Sequence, residues 1–153
     1  MSEKVVVTGG AGFIGHVFIK NLIENTDYEI ISMDRLDYSG NLNRISDMMQ
    51  NYDSKTQSRL KIIHHDLKAE INNLVQSQIG DVKHIFHIAA SSHVDRAIED
   101  PMTFVQDNVV ATCNILNYAR QLDNLETFVY FSTDEVFGPA PEGIKFKEWD
   151  RYN

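Results

Sequence analysis

One cysteine, Cys113, stands in the 153 residues, so no internal disulfide can form and a reducing compartment is the expectation. Long apolar runs are missing too: none approaches the ~18 residues that a membrane-spanning helix needs. The opening MSEKVVV has neither the basic start nor the apolar run of a secretory signal, and a cytoplasmic protein is the expectation. Basic side chains are in deficit, 14 against 22 acidic, leaving a net charge of −8. That balance argues against a nucleic-acid or anionic-membrane surface. No internal repeat and no low-complexity segment is present. What remains is 42% hydrophobic and 24% charged, the composition of a globular domain with a real core. Its length fits a single domain, and a soluble enzyme domain fits best.

Strands and helices alternate along the chain, which predicts a parallel sheet covered on both faces. Strands are expected at 4–8, 29–34, 60–64, 84–89 and 127–132, with helices at 12–25, 42–49, 69–76 and 100–120. The polar stretch 51–59 reads as a surface excursion. Asp100-Pro101 supplies the cap and first turn of the last helix, and after Phe137 the chain becomes irregular. With right-handed crossovers, five such strands give a doubly wound α/β sheet of the Rossmann kind, ordered 3-2-1-4-5. Ligands bind such a sheet outside the carboxyl ends of its strands, between strands one and four.

The segment VVVTGGAGFIG, Val5 to Gly15, sits at that point. A β-branched run leads into a tight turn, and Phe13, Ile14, Val17, Phe18 and Leu22 then recur at helical spacing. Gly9 permits the turn, Gly12 admits a phosphate to the backbone, and Gly15 lets helix pack closely on strand. The helix start offers unpaired amides and a positive dipole end to a pyrophosphate. The same pattern also suits an ordinary glycine-rich turn. Asp34 follows Gly15 by 19 residues, where a carboxylate can accept from both hydroxyls of an adenosine ribose. It would repel a 2′-phosphate and so favour NAD over NADP, although Arg35 beside it pulls the other way. A plain strand-end turn would also use an aspartate at this place.

Asp66 ends strand three, where it could meet an adenine amino group or cap a turn. His64-His65 and the pair His84 and His87 lack metal-ligand spacing, and no metal is expected. Ala89, Ala90 and Ser91 leave room for a flat cofactor at the end of strand four. Asp134 and Glu135 are adjacent carboxylates past strand five, able to divide acid and base work beside a sugar. Ser132 to Glu135 also reads S-x-x-E, a capping box for a short helix, and spacing alone favours the cap.

The segments TGGAGFIG, DRLDYSGN, HDL, HIAASSHVDRAIEDP and STDEVFG together resemble the extended short-chain dehydrogenase/reductases, specifically the nucleotide-sugar 4,6-dehydratases. The likeness spans essentially the whole chain. It implies NAD as cofactor and a nucleoside-diphosphate glucose, dTDP-glucose foremost, as the sugar converted to its 4-keto-6-deoxy form. By position it implies a cofactor site of Gly9, Gly12, Phe13, Ile14, Gly15, Asp34, Arg35, Leu36, Ser39, Gly40, Asp66, Leu67, Ala89, Ala90, Ser92, Asn108 and Ser132. Glu135 would remove the C5 proton, Asp134 would protonate the departing C6 hydroxyl, and Thr133 would bond the C4 oxygen. Ser92 and His93, with Thr133, would line the sugar pocket, and a homodimer is implied for the full enzyme.

Departures accompany the likeness. Ser91 stands where these dehydratases usually carry glutamate, Ala111 where glycine is usual, and Phe137 where tyrosine is common. The family's Y-x-x-x-K is missing, because Tyr152 is the last tyrosine and only Asn153 follows. The expectation is therefore an incomplete NAD-binding domain over 1–153, without a sugar-nucleotide domain and inactive by itself. A stand-alone nucleotide-binding module is the competing reading. A nucleotide-sugar epimerase or decarboxylase is another, against which the Asp134-Glu135 pair speaks.

Overall fold

The structure, a computed structural model, describes residues 2–152. Met1 and Asn153, the ends of the expected domain, lie outside the described residues. Five parallel strands form one sheet: β1 (Lys4–Thr8), β2 (Glu29–Asp34), β3 (Leu60–His64), β4 (His84–His87) and β5 (Thr127–Tyr130). Their order is β3-β2-β1-β4-β5, as the alternation predicts. Around them lie α1 (Phe13–Asn25), α2 (Leu42–Met49), α3 (Ser54–Gln57), α4 (Asn73–Ile79), α5 (Val94–Glu99), α6 (Pro101–Val105) and α7 (Ala111–Ala119). Strand alternation sorts β1 between two cores. Val5 and Val7 pack with Ile19, Leu22, Ile23 and Ile45 of α1 and α2. Val6 packs on the other face with Ile79, Ala111, Ile115 and Tyr118. No described helix is long and apolar enough to cross a membrane.

Several boundaries differ from the expected ones, each set by particular hydrogen bonds or caps. The strand expected to reach Ala89 stops at His87, because the Thr8 hydroxyl takes the Ile88 and Ala89 amides at 3.2 Å each. With its neighbour gone, β5 ends at Tyr130 rather than Ser132. The helix expected over 69–76 runs from Asn73 to Ile79 instead. Asn72 caps it by accepting from the Leu74 and Val75 amides, and Gly80, at φ 77°, closes it. The polar excursion holds the single turn α3, capped by Asp53.

The long helix expected over 100–120 is three pieces: α6, a π turn over Gln106–Val110, and α7. Asp100 caps α6, accepting from the Thr103 amide at 3.2 Å. Past β5, Thr133 rather than Ser132 is the cap. Its hydroxyl accepts from the Glu135 amide at 3.3 Å and starts a 3-10 turn over Asp134–Phe137. The expected S-x-x-E box is therefore not formed: with Thr133 as the cap, the residue three positions on is Val136.

A buried chain of hydroxyls and imidazole joins β1, β4 and α7. The Thr8 hydroxyl accepts two backbone amides, so its proton goes to His87 Nδ1 at 2.7 Å. That leaves Nε2–H to donate to Thr112 Oγ1 at 3.0 Å, whose proton goes to the Asn108 carbonyl at 2.6 Å. Every position is filled only while His87 is neutral. Burial accordingly lowers its pKa from 6.5 to about 4. Between those values the unfolded chain binds the proton and the folded chain does not, so acid favours unfolding. Stability is expected to fall as pH drops from 6.5 through about 4, on the order of 3 kcal/mol from this group. Urea denaturation of the parent and of His87→Gln across that window checks it, since the variant's profile should be flatter.

Candidate functional site

A cleft of about 870 Å³ opens at the carboxyl ends of the strands, within the size range of small-ligand sites. Its floor is the turn between β1 and α1. Gly9 has φ +70°, and a Cβ there would lie 2.8 Å from the Ala89 Cα, so the turn needs glycine on two counts. At Gly15 a Cβ would lie 2.1 Å from the Gly9 carbonyl oxygen. This helix start is therefore pressed against the turn, rather than against the strand as the spacing suggests. Gly12 caps α1 without a side-chain bond, and Phe13, Ile14 and Gly15 of the first turn line the cleft. Phe13 and Ile14 stand at its mouth, 78% and 60% exposed.

At the end of β2, Asp34 is 9% exposed. Its Oδ2 accepts from the Ala11 amide at 3.0 Å and its Oδ1 from the Leu36 amide at 2.8 Å. The ribose and turn readings of this residue are thus compatible, since each oxygen keeps a lone pair and the carboxylate still lines the cleft. Leu36 pays for that bond with φ 56°, a conformation uncommon outside glycine. Leu36 and Gly40 do not line the cleft; they shape the loop behind Asp34, and a Cβ on Gly40 would lie 2.7 Å from Asp34 Oδ1. Ser39 lines the cleft with its hydroxyl on Asp37.

Asp66 lies in the wall, yet it also accepts from the Lys68 amide at 3.0 Å, so it serves as a turn cap as well. Leu67, Ala89, Ala90, Ser92, His93, Ser132 and Thr133 join the wall. Asn108 does so too, and grips the loop after β4 at two points. Its Oδ1 accepts from the Ser91 amide at 2.7 Å and its Nδ2 donates to the Ser91 carbonyl at 2.8 Å. Of the two adjacent acids, Glu135 lines the cleft and Asp134 does not; Asp134 lies beside the Thr133 hydroxyl at 3.5 Å.

Asp107 is a site residue that sequence reasoning missed. It is 6% exposed and accepts from Arg35 at 2.5 and 2.7 Å and from Ser91 Oγ at 2.7 Å. The Arg35 guanidinium is the chief reason its pKa falls to about 2, and Asp107 in turn raises that of Arg35. Phe104, Asn108, Ala111 and Ile115 recur at helical spacing and share one face. Asp107, three residues after Phe104 and four before Ala111, falls on that same face, so spacing could have found it as well as Asn108.

The histidines have other work: His64 and His65 bond to the carbonyls of Arg35 and Ala69. Among the described residues one trio, Glu3, His84 and Glu126, is close enough to share an ion. It lies at the opposite end of the strands, and Glu126 is already paired with Lys83.

A family model described as GDP-mannose 4,6-dehydratase matches residues 6–153. The dTDP-glucose 4,6-dehydratase of Salmonella typhimurium is 36% identical over 148 residues, covering 90% of this chain and 39% of that protein. The chain thus spans about two fifths of that relative's length. Among solved structures, dTDP-glucose 4,6-dehydratase from Bacillus anthracis, in complex with NAD, superposes with a TM-score of 0.81 at 27% identity, covering 99% of this chain and 44% of that one. UDP-N-acetylglucosamine 4-epimerase from Methanobrevibacter ruminantium, with UDP-N-acetylmuramic acid, gives 0.80 at 27% identity, covering all of this chain and 45% of that one.

Proposed function

Because the chain belongs to the GDP-mannose 4,6-dehydratase family, we propose that its cleft is the NAD site of a nucleotide-sugar 4,6-dehydratase. The sugar nucleotide is a nucleoside-diphosphate glucose, dTDP-glucose in the first place, and this chain supplies the cofactor site and the acid and base. The observation that carries the reading is continuity: one cleft runs from the glycine turn past Asp34 to Thr133 and Glu135. The turn fits a dinucleotide, since side chains at Gly9 or Gly15 would collide with backbone, and the free amides of α1 meet the diphosphate. When bound, the nicotinamide supplies the hydride acceptor for C4 and the hydride donor for C6.

The chain's own residues do the rest. Asp34 holds the adenosine ribose, Asp66 and Leu67 border the adenine, and Ala89 and Ala90 leave the cofactor its path. Ser92 and His93 flank the sugar. Thr133 hydrogen-bonds the C4 oxygen, whose proton passes to a base outside residues 1–153 as the hydride leaves C4, and Glu135 removes the C5 proton once C4 is a ketone. Asp134, one residue earlier on the same turn and outside the cleft wall, swings its carboxyl inward when the sugar binds and protonates the departing C6 hydroxyl, so water leaves. The likeness to a 4-epimerase is of equal structural strength, and an epimerase is the second reading. It needs no acid and base for water loss, and the Asp134-Glu135 pair favours the dehydratase.

A homodimer is part of the proposal. Met102, Val105, Val109 and Leu116 form an exposed apolar stripe along α6 to α7, and a second copy of the same stripe would cover it. A monomer in sedimentation velocity at micromolar concentration would retire this element. The cofactor reading is tested by calorimetric titration with NAD+. Asp34→Ala is expected to weaken binding by about 1–3 kcal/mol, typical of lost charged hydrogen bonds. Unchanged affinity would remove Asp34 from the site, and no binding by the parent would end the NAD reading.

A further inference from the structure

We propose that Asp107 sets cofactor specificity: by gripping the Arg35 guanidinium it withholds the one cation a 2′-phosphate could use, so the cleft takes NAD and rejects NADP. The proposal rests on the dinucleotide reading of the cleft. Arg35 directly follows Asp34, which places it at the ribose corner, and it is the only lysine or arginine among the described lining residues. All three guanidinium nitrogens are committed to carboxylates. Nη1 and Nη2 reach the two Asp107 oxygens at 2.5 and 2.7 Å, and Nε reaches Asp37 at 2.7 Å.

The two-pronged pairing with Asp107 uses the same fork that arginine offers a phosphate. Asp107 therefore competes for it directly. Its grip is firm because it is itself fixed, by the Ser91 hydroxyl at 2.7 Å and by Lys68 at 3.6 Å, in a wall that leaves it almost no solvent. With Arg35 neutralised, the ribose corner presents the Asp34 carboxylate and no free positive charge. A ribose diol is accommodated there and a phosphate dianion is repelled.

Calorimetric titration of the parent chain with NAD+ and with NADP+ tests this. The parent should prefer NAD+. In Asp107→Asn, and more so in Asp107→Ala, the freed fork should raise the NADP+ to NAD+ affinity ratio about tenfold. Adding Arg35→Ala to Asp107→Ala should erase that gain, which a mere loosening of the cleft would not. A ratio unchanged in an Asp107→Asn protein that binds NAD+ would overturn the specificity role while leaving the cofactor reading intact. Failure of the parent to bind NAD+ would overturn both.

Discussion

Gly15→Ala is expected to destabilise the fold by about 3 kcal/mol, at the upper end of overpacking costs, and to weaken NAD+ binding with it. The new methyl would lie 2.1 Å from the Gly9 carbonyl oxygen and 2.8 Å from the Gly10 Cα. Both neighbours are backbone, so no side-chain rotation relieves the clash. Relief requires α1 to lift from the turn, yet Ile19, Leu22 and Ile23 anchor it in the core. The same movement carries the Phe13 and Ile14 amides away from the diphosphate. Gly12→Ala is the control, because its Cβ meets only the Gly9 oxygen, at 3.0 Å. It should cost binding more than stability. Urea denaturation of parent and variants reads the effect, and a Gly15→Ala protein as stable as the parent would show that the turn yields.

Glu135→Gln is expected to slow formation of the 4-keto-6-deoxy sugar by about 10²–10⁴-fold, the usual worth of a positioned general base, in a catalytically complete protein. Of the two adjacent acids Glu135 is the one in the cleft wall, and an amide in its place keeps the shape while losing the basicity. In the proposed sequence of steps oxidation at C4 comes before proton removal at C5, so the near-ultraviolet absorbance of reduced nicotinamide should still rise on mixing with dTDP-glucose, and then stall. Asp134→Asn should also permit that rise and slow only the loss of water. Turnover and absorbance lost together in Glu135→Gln would assign it to C4 instead of C5. Full turnover would remove it from the chemistry.

The frame of the molecule was legible because its signals are local. Val5-Val6-Val7, the glycine spacing and Asp34 each state a backbone requirement within a few residues, and the sheet order follows from chirality. Boundaries were missed where a distant side chain decides them. β4 ends early because Thr8, some 80 residues before, takes its last amides. The cleft was legible at the strand ends, whereas the Arg35–Asp107 pair joins positions 72 apart across the sheet and leaves no spacing to read. Adjacency likewise suggested that Asp134 and Glu135 share one wall, but the 3-10 turn fans consecutive side chains apart and puts only Glu135 there.

The wide turn over Gln106–Val110 has one more consequence. It carries a surplus residue relative to a regular helix, and deleting that residue would let the segment close into an unbroken α-helix with the flanking pieces keeping their faces. Asp107 and Asn108 both lie within the turn, so its loss would shift their side chains against the Ser91 loop that they hold. The anchorage of the loop after β4 thus rests on one irregularity in the helix that faces it.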